Sequence, residues 1–273
     1  MKKLMILFLL WAVPAASEGV IASYNILHLG WKGKDYKRNA YIINKFDITG
    51  LVEVMNECGL KKLVKALEAS TMYKWKYHIS DKKVGKKGSR YKEYYAYVWK
   101  ADKVQLIESL GFYKEKHDTD FIREPYGAIF KINKFDFTFV LCHLIWGKSI
   151  TDRRSEAELL PKVYEYFMSI NAFEKDIIIA GDFNLNAEDK AFKYFVENTS
   201  IKYTVIPDQD TTIGKSGLVS SYDNMFYNSK YTDEILNGYV YILNGIKDFK
   251  IYRKTVSDHL PIYCIVNIYT DDD

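Results

Sequence analysis

Apolar residues recur along this chain with two different periods. Alternating or short continuous apolar runs predict strands, and apolar positions three and four residues apart predict helices. On that reading strands fall at 20–26, 48–54, 75–79, 94–99, 104–112, 126–131 and 135–143. A short run of isoleucines at 176–180 reads as a buried strand ending in Gly181-Asp182, and the C-terminal part holds strands at 224–227, 239–243 and 260–269. Helical spacing covers 36–46, 59–69 (Leu60, Leu63, Val64, Leu67), 155–170 (Ala157, Leu160, Val163, Tyr164, Phe167) and 187–197. The polar stretch 205–221, with Thr211-Thr212 and two glycines, reads as a loop. Strands and helices are mixed without strict alternation. There is no internal repeat and no break in composition, so the pattern predicts one α/β or α+β sandwich domain.

The first residues are set apart. Lys2 and Lys3 precede an apolar run from Leu4 to Val13, Pro14 breaks it, and Ala15-Ala16-Ser17 follows. That order predicts a signal peptide over 1–17, and the run is too short to span a bilayer. The expected product is a secreted or periplasmic domain over 18–273, without stable membrane association and monomeric. Its 256 residues carry a net charge of +2, the whole chain's +4 less two lysines. A charge so small permits a polyanionic partner without demanding one. The chain is 48% hydrophobic and 27% charged, ordinary for a globular protein and excluding disordered or collagenous classes. The three cysteines are Cys58, Cys142 and Cys264. An odd number leaves at least one thiol free, and two lie in apolar strands, so no disulfide is expected.

Polar residues collect where strands end. Asn25 closes the first strand, Glu53 interrupts the apolar run 48–54, and His143 ends the run 135–143. Asp182 and Asn184 stand in Gly-Asp-Phe-Asn, Asp223 follows Ser220-Ser221-Tyr222, and Asp258-His259 precedes the last strand. Singly, such residues are more often caps or turn formers than ligands. A glutamate inside a buried strand is harder to dismiss, because a buried carboxylate needs a cation or hydrogen-bond donors. Carboxylates with amide oxygens suit a hard cation such as Mg²⁺, and two histidines beside them suit acid–base chemistry.

These segments identify a resemblance. Ser23-Tyr24-Asn25-Ile26, Glu53 in its strand, Tyr91-Lys92-Glu93, Arg123-Glu124-Pro125, Leu141-Cys142-His143, Gly181-Asp182-Phe183-Asn184, Tyr222-Asp223 and Ser257-Asp258-His259-Leu260-Pro261 occur in one order. In that order the chain resembles the endonuclease/exonuclease/phosphatase superfamily and, within it, the deoxyribonuclease I branch. The resemblance implies a four-layer sandwich of two packed, mainly antiparallel sheets flanked by helices. It implies that Glu53, Asn25 and Asp258 hold the metal, with Mn²⁺ or Ca²⁺ as alternatives to Mg²⁺. Asp182 and Asn184 would orient the scissile phosphate, the attacking water or a second metal. His143 with Glu93 and His259 with Asp223 would serve as acid and base, and Arg123 and Tyr91 would contact phosphates. The implied activity is a metal-dependent endonuclease acting on DNA with little sequence specificity. Another phosphodiesterase or phosphatase on the same fold, for a sphingolipid or an inositol phosphate, stays open, as does a catalytically weak toxin or binding subunit.

The chain departs from that pattern in places. Val52 stands where the family usually has Gln, and Leu144-Ile145-Trp146-Gly147 follows His143 in place of Ser-Ala-Pro. The loop at 211–221 also differs, and the family's cysteine pairs are missing. The segment 82–92 carries five lysines and Arg90. Because it runs into Tyr91 and Glu93, Lys86 and Lys87 are expected beside the site, neutralising phosphates without reading bases. His28, His78 and His117 lack such contexts and read as structural or surface residues.

Overall fold

Twice the chain makes the same move: a strand, a helical crossover, and a second strand parallel to the first. β1 (Glu18–Leu29), α1 (Tyr36–Ile43) and β2 (Ile48–Val54) form the first unit. α2 (Glu57–Ser70), β3 (Trp75–Ile79), β4 (Tyr94–Lys100), β5 (Val104–Phe112) and β6 (Tyr126–Ile132) lead to the second unit. That unit is β7 (Phe135–His143), α3 (Ile150–Ala157), α4 (Leu160–Ile170) and β8 (Ile177–Asp182). A 3₁₀ turn (Lys190–Phe192), α5 (Lys193–Asn198), β9 (Ile201–Tyr203), β10 (Thr212–Ile213), β11 (Leu218–Ser220) and β12 (Asp223–Asn228) follow. β13 (Ile235–Val240), α6 (Phe249–Thr255) and β14 (Ile262–Asn267) complete the chain. This computed structural model describes residues 18–116, 120–171, 174–242, 246 and 248–271. The expected signal peptide and His117 lie outside the described residues, as does the end of the strand expected at 239–243.

Two six-stranded sheets result, ordered β13-β14-β1-β2-β4-β3 and β5-β6-β7-β8-β12-β9. All their pairings are antiparallel except β1–β2 and β7–β8. The sheets pack face to face over a core that includes Ile21, Ile48, Tyr97, Phe130, Phe137, Phe139 and Ile178. Outside the first sheet, α1 and α2 bury Ala40, Ile43, Leu60, Leu63 and Leu67 against Tyr24, Leu51 and Ala96. Outside the second, α4 and α5 bury Val163, Phe167 and Phe195 with Val140, Ile179 and Phe226. The four-layer α/β sandwich is therefore present, and strands covered on both faces explain the nearly continuous apolar runs. Gly50 marks where the sheets approach closely: a Cβ there would lie 2.3 Å from Leu141 Cδ2.

Several elements differ from the periodic reading. The helix expected over 155–170 is two helices. Pro161 has no N–H for the Ala157 carbonyl, so the ladder cannot run through. α3 starts earlier than expected because Ser149 and Asp152 form a reciprocal capping box. The helix expected at 187–197 begins only after Asp189, which accepts from Ala191 N and is clamped by Arg154 at 2.8 Å. The loop 205–221 contains the β10–β11 hairpin. β9 and α6 had no usable signal: one has three residues, and the other buries only Tyr252.

Candidate active site

The ends of the two parallel pairs meet at one edge of the sandwich. In β7, residues 135, 137, 139 and 141 face the inter-sheet core, and His143 continues that alternation at the strand end. Register then places His143 beside Asp182, and Asp182 beside Asp223 on β12. Across the sandwich, Asn25 Nδ2 donates to Asp182 Oδ2 at 3.0 Å. Glu53 escapes the apolar period through a bulge. It takes a left-handed backbone (φ 62), and the β2–β4 register shifts between Leu51 and Val54. Its carboxylate then accepts from Asn25 Nδ2 at 3.2 Å and from His28 N at 3.1 Å.

Asp182 is the hub. Its Oδ2 lies 3.6 Å from His143 Nε2 and 3.5 Å from His259 Nε2. The far nitrogen of each imidazole is held by a buried carboxylate: His143 Nδ1 by Glu93 Oε1 and His259 Nδ1 by Asp223 Oδ2, both at 2.7 Å. Asn184, also left-handed (φ 54), donates its backbone N–H to Asp182 Oδ1 at 2.9 Å and its side-chain amide to the Leu144 carbonyl at 2.8 Å. Gly181 lets β8 lie close against β7 just before Asp182. Its φ is +150, and a Cβ would sit 1.8 Å from the Cys142 carbonyl oxygen.

Electrostatics follow from burial and crowding. Burial disfavours a charged His143 and Arg123 opposes it further, but Glu93 and Asp182 outweigh both and raise its pKa. Burial likewise works against a charged His259, yet Asp223 and Asp182 raise it well above the usual imidazole range. Burial and Asp182 push Asp223 up to about 6. Burial would raise Glu93, but His143 and Arg123 hold it below the ordinary carboxylate value. Both imidazoles are thereby disposed to carry a proton.

The remaining expected residues are distributed as follows. Arg123 lies against the site, its Nε and one Nη donating to the carbonyls of His143 (2.7 Å) and Leu144 (2.8 Å). With Tyr91, Lys86, Glu53 and His143 it lines a cavity of about 490 Å³. Lys87 lies instead on a neighbouring groove with Lys82 and Tyr113. Asp258 is turned toward a basic pocket, 3.8 Å from Arg253, and makes no hydrogen bond with Glu53 or Asn25 among the described contacts.

Three site residues escaped the sequence reading. His28, taken there for a structural or surface residue, has its Nε2 3.2 Å from Glu53 Oε2 and 2.7 Å from the Tyr91 hydroxyl. Leu27 and His28 are both left-handed (φ 44 and 51), a turn with no glycine to announce it. Thr211 donates its hydroxyl to Asp223 Oδ2 at 2.6 Å, and only the Thr-Thr pair hinted at it. Lys34 donates to the carbonyls of Leu27 and Val256, bridging the two halves of the site. Burial lowers Lys34 to about 8 against the pull of Glu53 and Asp258. His78, by contrast, is bonded to the Tyr126 hydroxyl at 2.7 Å, as a structural histidine would be.

The donor set fits a divalent cation. Glu53, Glu93, Asp182 and Asp223 are all buried, with the basic side chains of Arg123 and Lys34 among those nearby. Glu93 Oε2 is buried and accepts no hydrogen bond from any described residue. Ligand atoms of Asp182, Asp223 and His259 lie within 4.8 Å of one another. Carboxylate oxygens gathered in this way, one of them without a described hydrogen-bond donor, suit a hard cation.

No family model matches the chain. It is 28% identical over 274 residues to a deoxyribonuclease of Thioalkalivibrio sp. (strain K90mix), covering 95% of this chain and 74% of that protein. It is 26% identical over 239 residues to deoxyribonuclease-1-like 1 of Rattus norvegicus, covering 83% and 72%. In fold it is similar to an endonuclease/exonuclease/phosphatase family protein from Bacteroides thetaiotaomicron. That likeness has a TM-score of 0.62 at 17% identity, over 91% of this chain and 97% of the other.

Proposed function

We propose that this protein, with the fold of the endonuclease/exonuclease/phosphatase superfamily and deoxyribonucleases among its relatives, is a metal-dependent endonuclease that hydrolyses DNA phosphodiester bonds with little sequence preference. A phosphodiester hydrolase of the deoxyribonuclease I type is the class that relatives and site support together. The observation that carries the reading is the pair of carboxylate-backed imidazoles, His143–Glu93 and His259–Asp223, converging on Asp182 at 3.6 and 3.5 Å.

Water attacks phosphorus as the bond to the leaving oxygen breaks. One imidazole takes the proton of the water and the other protonates the leaving oxygen. Glu93 and Asp223 fix which ring nitrogen faces the substrate and stabilise each imidazolium. Asn184 and Asp182 would orient the scissile phosphate, the attacking water or a second metal, and the guanidinium N–H groups of Arg123 that bond no described residue offer donors to the phosphate oxygens. Glu53 would hold Mg²⁺, which supplies charge neutralisation on the phosphate when bound, and the Asn25 amide, donating to Glu53, steadies that carboxylate. Lys86 at the cavity rim meets the backbone as a point charge, consistent with cleavage broad in sequence.

Residues 1–17 act in this reading as an export signal, leaving a monomeric domain over 18–273 outside the cytoplasm. Mass spectrometry of secreted material should find an N-terminus within a few residues of Glu18. Among the described residues no helix is long and apolar enough to cross a membrane.

Plasmid nicking with and without a chelator is the deciding experiment. Supercoiled DNA should be nicked only with divalent metal, and His143→Ala or His259→Ala should each slow nicking by about two to four orders of magnitude. Near wild-type nicking by the double variant would overturn the site. Hydrolysis of a phospholipid or inositol phosphate with none of DNA would overturn the substrate.

A further inference from the structure

Trp146 stands at the rim of the catalytic cavity and is half exposed (53%), where burial would be the ordinary fate of so large an apolar ring. It is nevertheless rigidly held. The Arg153 guanidinium lies over its ring, 3.5 Å from the centroid, and the Tyr222 ring meets it at 5.7 Å and 63°. Arg153 is itself pinned by the carbonyls of Trp146 (2.8 Å) and Asn184 (3.3 Å). Tyr222 directly precedes Asp223, the partner of His259. The stack is thus tied to the His259–Asp223 pair through Tyr222 and to Asn184 through Arg153. The cavity that Trp146 shares with His143 also has apolar Ile122 and Ile145 beside cationic Arg123, Lys86 and Lys148.

An ordered aromatic face next to cations, a few residues from the reacting phosphate, has the chemistry of a nucleotide unit: a base to stack and phosphates to neutralise. A base inside an intact duplex cannot lie on such a face, because its own faces are already covered. Resting on the nuclease reading above, we propose that Trp146, held by Arg153 and Tyr222, is a stacking subsite for an unpaired nucleobase flanking the scissile phosphate. The enzyme then favours single-stranded or locally unpaired DNA over intact duplex.

The test measures kcat and KM on one labelled oligonucleotide, single-stranded and annealed, at fixed salt. The unaltered enzyme should favour the single strand. Trp146→Ala should lower the ratio of kcat/KM on single strand to that on duplex by about 5- to 150-fold, the effect of losing one base–aromatic stack. The loss should appear in KM, and Trp146→Phe should recover most of it. An unchanged ratio in Trp146→Ala overturns the proposal. So does an equal fall on both substrates. If the unaltered enzyme cleaves no DNA, the nuclease reading fails, and the subsite is decided without turnover. A single-stranded oligonucleotide containing 2-aminopurine should then lose emission on binding the metal-free enzyme, less so with Trp146→Ala. An absent quench, or one undiminished in that variant, overturns the stacking subsite by itself.

Discussion

In the proposed reaction Glu93 acts through His143, and a double-mutant cycle separates that from an independent role. Glu93 is fully buried, and its Oε1 accepts from both His143 Nδ1 (2.7 Å) and Glu53 N (3.3 Å). Glu93→Gln keeps the shape and a carbonyl acceptor for both donors, removes the charge, and places an amide NH₂ at the buried Oε2 position. A hydrogen bond to a charged group contributes about 1.5–3 kcal/mol against about 1 for a neutral one. The loss of about 0.5–2 kcal/mol in stabilising the imidazolium should slow nicking by about 2- to 30-fold. His143→Ala removes the proton-transfer group itself and should cost about 10²- to 10⁴-fold. With no imidazole left to support, Glu93→Gln should add almost nothing, so the double variant should match His143→Ala within about threefold. The assay is initial rates of supercoiled plasmid nicking at saturating Mg²⁺, with folding checked by circular dichroism. A double variant slower than His143→Ala by the full factor of Glu93→Gln would show that Glu93 works through Glu53 or Arg123 instead, and the dyad argument would fail.

Other consequences are open to simpler measurements. Gly181→Ala forces a Cβ to 1.8 Å from the Cys142 carbonyl in a left-handed backbone, and should cost on the order of 3 kcal/mol in urea unfolding while lowering activity by displacing Asp182. Asp47 is buried between Lys100 (3.2 Å) and Lys103 (2.9 Å), so Asp47→Ala should destabilise the fold by about 3–5 kcal/mol, leaving Lys100 buried without its partner; a cost under about 1 kcal/mol would refute this. Of the three free thiols only Cys58 is exposed, and burial pushes Cys264 up to about 12 and Cys142 higher still. A thiol-reactive chromophore should therefore titrate one equivalent in the native protein and three in denaturant.

What the chain determines by itself is whatever depends on near neighbours. Besides the partly exposed edge strands 75–79 and 104–112, the strands 48–54 and 135–143 were legible to the residue, these last two because a strand covered on both faces needs an apolar run and polar residues end it. Glu53, His143 and Asp182 were conspicuous for the same reason, each being a polar group set into or closing such a run. Their likeness to a known order of motifs then supplied partners such as Glu93 for His143, fifty residues apart, which periodicity alone could not have joined. Tertiary structure decided what rests on register and backbone hand. His143, Asp182 and Asp223 become neighbours only because β7–β8 and β8–β12 pair at those residues. His28 reaches Glu53 only through two consecutive left-handed residues, and Thr211 reaches Asp223 only because a hairpin forms in an apparently featureless polar stretch. The stack of Arg153 on Trp146 depends on α3 beginning at Ile150, where the capping box of Ser149 and Asp152 starts a helix that no apolar stripe announces. Such contacts are set by how sheets and loops close on one another, and a local pattern of apolar and polar positions carries no record of that closure.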